Sequence, residues 1–145
     1  MPRMRLVREI MKRHDPVTAR PDDTAQAAAE RMAAAGCGSV LVREGDRLCG
    51  IFTERDLLAR VVAPGLDPRA TRLEAVMTPD PVTIESTDTA REAVRRMDEF
   101  GCRHLAVVDE GRLVGVLSQR DLPIETLARM QPELDERHAL AERLW

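Results

Sequence analysis

The residues best suited to chemistry in this chain form the segment Gly50-Ile51-Phe52-Thr53-Glu54-Arg55-Asp56, which returns 65 positions later as Gly115-Val116-Leu117-Ser118-Gln119-Arg120-Asp121. In each, an apolar strand ends in a hydroxyl residue, and an aspartate follows in the first turn of a helix. The free amides of a helix start, with an arginine beside them, suit a phosphate group. A carboxylate one turn on accepts hydrogen bonds and so suits both hydroxyls of a ribose. The same Thr/Ser-x-x-Asp spacing also describes a helix cap that needs no ligand. Capping requires neither the glycine three residues before the hydroxyl nor the arginine before the aspartate, and both recur.

The repetition extends beyond that segment. Asp15-Pro16-Val17-Thr18 returns as Asp80-Pro81-Val82-Thr83, Asp23-Thr24-Ala25 as Asp88-Thr89-Ala90, Arg31-Met32 as Arg96-Met97 and Gly36-Cys37 as Gly101-Cys102, with no gap between residues 15 and 57. Every loop therefore has the same length in both copies, and each copy is one supersecondary unit. Two copies are too few for a solenoid, which needs three or more. A unit of roughly 60 residues also buries too little surface to stand alone. The copies must share a core in one pseudo-symmetric α+β domain of 145 residues.

Each copy reads strand, helix, strand, turn, strand, helix. Short extended segments come first, at Pro16-Val17-Thr18 and Pro81-Val82-Thr83. Asp23-Thr24 then opens an alanine-rich helix to about Ala35, and Asp88-Thr89 opens its partner, with Thr89 and Glu92 at capping-box spacing. Gly36 and Gly101 stand where a left-handed residue ends a helix. Buried strands are expected at Ser39 to Arg43 and Leu105 to Asp109. Turns at Glu44-Gly45-Asp46 and Glu110-Gly111 lead into return strands, Arg47 to Phe52 and Arg112 to Leu117. Closing helices run from Glu54 to about Val62 and from Gln119 to about Met130. The second should start irregularly, because Pro123 removes a backbone donor and crowds the preceding turn. This divides the chain into a first repeat at residues 7–62, a linker at 63–71 around Pro64-Gly65, a second repeat at 72–130 and a helical tail at 131–145. In the tail Leu134, His138, Ala141 and Trp145 lie at helical spacing, so it should dock by one face.

Composition narrows the function. A net charge of -3 gives no electrostatic attraction for nucleic acid, and aromatics at 2% leave no platforms for stacking bases. No apolar run approaches the ~18 residues of a membrane span. Met1-Pro2-Arg3-Met4-Arg5 lacks the apolar stretch of a signal peptide, so a cytoplasmic location is expected. Cys37, Cys49 and Cys102, an odd number, read as buried thiols rather than disulfide partners. Met32 and Met97 read as core filling, and His14, His138 and the charges from Glu133 to Arg143 as solvated. No nucleophile stands beside a base, and no Cys-x-x-Cys or His-x-x-x-His spacing occurs, so neither an enzyme nor a metal site is expected.

The two Gly-x-x-(Thr/Ser)-x-x-Asp segments, the Asp-Pro-Val-Thr openings and the stretch Gly101-Cys102-Arg103-His104-Leu105-Ala106-Val107-Val108-Asp109, in this order and spacing, resemble a tandem pair of CBS domains. This is the cystathionine β-synthase type regulatory repeat, also called a Bateman module. The resemblance implies a small three-stranded sheet with two helices in each repeat and packing of the two sheets into one module. It also implies two clefts that bind adenosyl ligands such as AMP, ADP, ATP, S-adenosylmethionine or NAD. By the same resemblance Asp56 and Asp121 hold the ribose hydroxyls, and Thr53 and Ser118 the ribose or phosphate, with Arg55 and Arg120 beside them. Backbone groups around Thr18 and Thr83 would meet the adenine. Each cleft is completed by the opposite repeat, so Arg103 and His104 would face a phosphate in the cleft of Asp56. Their counterparts Gly38 and Ser39 carry no charge, so the cleft of Asp121 should take a less phosphorylated ligand or rely on Arg120. The implied protein is a non-catalytic sensor with no required cofactor, a regulatory adenine nucleotide, a flat homodimer and an unidentified protein target. Two other readings stay open: a constitutive assembly module with empty clefts, and a redox- or metal-responsive protein using Cys37, Cys102 and His104.

Overall fold

The long helix of each repeat is fixed at both ends by residues that recur. Thr24 caps α2 (Ala25–Ala35) by accepting the Ala27 amide at 3.1 Å, and Thr89 caps α5 (Ala90–Phe100) by accepting that of Glu92 at 3.1 Å. At their far ends Gly36 and Gly101 both adopt φ 64°, a left-handed conformation that a side chain resists. The computed structural model describes residues 4–11 and 16–143, so the expectations for His14, Asp15 and Trp145 lie outside the described residues.

A hairpin follows each helix: β2 (Ser39–Glu44) with β3 (Arg47–Thr53), and β6 (His104–Asp109) with β7 (Arg112–Ser118). The two share a register. Ser39 faces Thr53 as His104 faces Ser118, and a bulge interrupts each ladder, between Val42 and Arg43 and between Val107 and Val108. Short parallel strands, β1 (Thr18–Ala19) and β5 (Thr83–Glu85), flank β2 and β6. Both begin at the threonine rather than the proline of the expected segments. The preceding valines still take part, because the carbonyls of Val17 and Val82 accept the amides of Leu41 and Ala106. An unexpected strand, β4 (Thr78–Pro79), pairs antiparallel with β3. The first sheet therefore has four strands, β1-β2-β3-β4, and the second three, β5-β6-β7. Gly50 makes room for β4: a Cβ there would lie 2.6 Å from Met77 Sδ and 2.8 Å from the Thr78 carbonyl oxygen.

Two four-residue helices cross between the repeats. α1 (Val7–Ile10) opens the first repeat yet buries Val7 and Ile10 among Ile84, Val94, Leu105 and Leu117 of the second. Its Val7 and Arg8 amides donate to the Asp88 and Ser86 carbonyls at 2.8 and 3.0 Å. α4 (Leu73–Val76) does the converse, burying Leu73 and Val76 among Ala28, Val40, Phe52 and Val61 of the first. Its Leu73 and Glu74 amides donate to Asp23 and Pro21 at 2.8 and 3.0 Å. Between the sheets Leu41 and Ile51 pack with their counterparts Ala106 and Val116 in a third buried cluster, which lies on the pseudo-two-fold. Each half thus completes the other, as the marginal size of one repeat demands.

The closing helices differ. After β3 the first turn, α3 (Glu54–Asp56), continues as a π-helix, Leu57–Val62. After β7 a 3-10 turn, Gln119–Asp121, ends at Leu122 in an extended conformation (φ -70°, ψ 132°), the state into which a following proline drives its neighbour. The irregular start expected from Pro123 is therefore found. α6 (Ile124–Arg143) then runs as one 20-residue helix that contains Pro132. The segment expected as a distinct tail is the second half of this helix, since Leu127, Met130 and Leu134 all pack on the second core. An ion pair from Arg91 to Glu133 at 2.8 Å and a hydrogen bond between His138 Nε2 and Asp98 at 2.7 Å hold it along α5. His138 is exposed, as expected of a solvated residue, and Glu133 and His138 are in addition paired across helices. Met32 and Met97 are buried, as expected of core filling. No helix among the described residues is long and apolar enough to cross a membrane.

Candidate functional site

Packing of Ile51 against Val116 brings the ends of β3 and β7 side by side, so both repeated segments open on one continuous cleft of about 700 Å³. The two expected clefts run together. Thr53, Arg55 and Asp56 line it from one repeat, and Ser118, Arg120 and Asp121 from the other; Arg103 and His104 line it beside Gly38 and Ser39. Thr18 and Thr83 stand outside this lining. Thr18 borders a separate depression with Arg31 and Arg43. The carbonyls of Thr18 and Thr83 each accept a guanidinium group, from Arg31 at 3.0 Å and from Arg96 at 2.6 Å. Arg31 also holds Asp23, whose carboxyl lies below its ordinary value chiefly because the Arg20 amide donates to it at 2.8 Å.

Both helix caps are made. The Thr53 amide donates to Asp56 Oδ2 at 3.0 Å, and the Asp56 amide to Thr53 Oγ1 at 3.2 Å. The Ser118 amide donates to Asp121 Oδ2 at 2.9 Å, and the Arg120 amide to Ser118 Oγ at 3.2 Å. Neither cap exhausts its carboxylate. Asp56 is buried at 8% exposure and accepts the Thr78 hydroxyl at 3.3 and 3.4 Å, long for an O–H donor and open to exchange with a ribose hydroxyl. Arg60 stands 3.7 Å from its Oδ1. Asp121 is half-buried, and its Oδ1 has no protein partner among the described residues.

The basic groups of the cleft are unspent. Arg31, Arg91, Arg96 and Arg137 each meet a carboxylate elsewhere on the surface. Among the described residues Arg55, Arg103 and Arg120 meet none, although all three line the cleft. Arginines bordering a concavity without a carboxylate partner suit an anion with several oxygens, phosphate above all. Burial pushes the His104 imidazole below its ordinary value, the Glu54 carboxylate pulls it back up, and Arg120 and Arg103 act with burial. His104 is therefore a neutral hydrogen-bonding group near pH 7.

Among the lining residues not singled out from sequence are Glu54, Thr78 and Phe100. Glu54 could have been found, because it is the charged position of its segment that the second copy replaces, with Gln119. Thr78 gave no signal, since its counterpart is Arg13 and the strand that carries it has only two residues. Phe100 is 58% exposed at the cleft rim. Cys37 and Cys102 line the cleft as well. All three cysteines are half-buried rather than fully buried as expected, and burial raises the Cys102 thiol. Among the described residues no cluster of three or more His, Cys, Asp or Glu could hold a metal ion.

Two β-α-β-β units that exchange short helices around one groove define a tandem-repeat module with a cleft between its halves. The CBS domain family model matches residues 7–63 and 73–122, and the chain belongs to that family. An uncharacterised protein of Methanopyrus kandleri is 38% identical over 112 residues, which are 76% of this chain and 57% of that protein. A CBS domain-containing protein of Arabidopsis thaliana is 35% identical over 123 residues, 81% of this chain but 23% of its own length. The chain thus spans about half or less of these relatives. The crystal structure of a CBS domain protein from Pyrobaculum aerophilum complexed with AMP superposes with a TM-score of 0.77 at 31% identity, covering 88% of this chain and 98% of that one.

Proposed function

We propose that this chain is a non-catalytic sensor whose cleft binds an adenosyl ligand, with AMP, ADP or ATP favoured over S-adenosylmethionine or NAD. The observation that carries this reading is that three arginines with no carboxylate partner among the described residues and two capped carboxylates line one groove. The carboxylates accept ribose hydroxyls, Thr53 and Ser118 bond the ribose or phosphate, and Arg55, Arg103 and Arg120 take phosphate oxygens. Preference for adenosine over other nucleosides rests on family membership and on the AMP complex of the Pyrobaculum relative. A ligand in the shared groove touches both repeats at once. It therefore changes how they sit against each other, and a homodimer contact or a target protein in the cytoplasm reads that change.

A thermal-shift panel of AMP, ADP, ATP, S-adenosylmethionine, NAD and GMP tests the reading on protein freed of co-purified nucleotide. Saturation at ~100 times the dissociation constant adds about 2.7 kcal/mol, a rise of roughly 5 to 10 °C for a chain of this size. An unchanged melting temperature with every adenosyl compound at millimolar concentration would refute it in favour of an assembly module with an empty cleft. The metal-responsive reading is weaker: Cys37, Cys102 and His104 share the cleft lining but form no ligand cluster.

A further inference from the structure

We infer that Glu54 sorts ligands between the two halves of the cleft by charge: its carboxylate keeps phosphate out of the half that ends at Asp121, leaving that half to a nucleoside whose 5′ arm is neutral or cationic. This rests on the adenosyl reading and adds to it the residue that sets specificity. The two repeated segments are alike in their chemistry except at Glu54, whose counterpart is Gln119, and in the preceding loop Gly38 stands where the second repeat has Arg103. These positions are coupled in the same way in each copy, the Glu54 amide donating to the Gly38 carbonyl at 3.1 Å and the Gln119 amide to that of Arg103 at 2.9 Å.

The side chains make opposite use of that shared backbone. A Cβ built on Gly38 would collide with Glu54 Oε1. The carboxylate therefore occupies the space from which, in the other copy, the Arg103 side chain departs. Gly38 does not have a positive φ, and a Cβ there would be met by a shift of the flexible, exposed Glu54 side chain. By the pseudo-two-fold, what Arg103 offers to the half of Asp56, Glu54 denies to the half of Asp121. Arg55 and Arg103 outnumber Asp56 in the first half, while in the second Arg120 stands alone against Asp121 and Glu54.

Calorimetric titration of adenosine and of AMP into the full chain tests this with Glu54→Gln, Gly38→Ala and, as a control away from the cleft, Glu85→Gln. The wild-type chain is expected to take two equivalents of adenosine but one of tightly bound AMP. Glu54→Gln should tighten the second AMP by roughly fivefold, the scale of removing one like charge about 4 Å away in water, since Glu54 is exposed, and leave adenosine unchanged. Gly38→Ala pushes the same carboxylate aside and should move AMP in the same direction, whereas Glu85→Gln should match wild type. If Glu54→Gln leaves the preference between AMP and adenosine as it was, or shifts both ligands equally, the inference is overturned. Binding of neither ligand to the wild-type chain would instead overturn the adenosyl reading on which it rests.

Discussion

Replacing Asp56 by alanine should destabilise the ligand-free protein several times more than replacing Asp121, although the two residues occupy equivalent positions. The Asp56 carboxylate is buried, accepts the Thr53 amide at 3.0 Å and the Thr78 hydroxyl at 3.3 Å, and so ties the start of α3 to β4. Its loss removes a cap contribution of about 1 kcal/mol. It also strands a part-buried amide and hydroxyl at a further cost of about 1 to 2 kcal/mol. At roughly 3 °C per kcal/mol for a chain of this length, the melting temperature should fall by about 6 to 9 °C. Asp121 is half-buried, accepts only the Ser118 amide among the described residues, and precedes a helix already interrupted at Leu122, so its replacement should cost about 1 kcal/mol, near 3 °C. Thermal melts followed by circular dichroism, with urea midpoints as a second measure, read both variants. Equal losses would show that the Thr78 contact and the burial of Asp56 contribute nothing, and the reasoning from this geometry would fail.

Arg103→Ala should weaken AMP by roughly ten- to a hundredfold while leaving adenosine within a factor of about two, because only charge-assisted bonds to phosphate are lost. Titration calorimetry decides it, and equal losses for both ligands would assign Arg103 to the fold. His104 gives a pH signature. Its folded value lies below the ordinary 6.5, so the unfolded chain takes up the proton first. Its contribution to stability is therefore full above about pH 6.5 and is lost as pH falls through that value toward the lower folded one. Urea unfolding at pH 7.5 and pH 5.5 should show wild type losing more stability than His104→Gln over this interval. An identical loss in the two proteins would mean that the imidazole is not held neutral by burial.

The parts of the fold legible in sequence are those fixed by local chemistry. Thr24 and Gly36, like Thr89 and Gly101, set both ends of their helices without help from distant residues. The hairpins follow from apolar runs around Gly45 and Gly111, and Pro123 marks the break before α6. What escaped notice depends on contacts distant in sequence. A four-residue helix such as Val7–Ile10 or Leu73–Val76 has no periodicity to read, and it exists because the opposite repeat buries it. β4 is two residues long and is held only by β3, yet it delivers the Thr78 hydroxyl to Asp56. Pro132 reads as a helix boundary, but packing of Met130 and Leu134 on the second core carries the helix past it. At the cleft, residue types named Arg55, Asp56, Arg103 and their counterparts, while the merging of two clefts into one needed the packing of Ile51 on Val116.

Crystals of the chain grown with saturating AMP test most directly whether the shared groove is an adenosyl site. The nucleotide is expected in the cleft between the repeats, with its ribose hydroxyls on Asp56 and its phosphate reached by Arg103 from the opposite repeat. AMP bound away from both Asp56 and Asp121, or a cleft without nucleotide at that concentration, would contradict the proposed function.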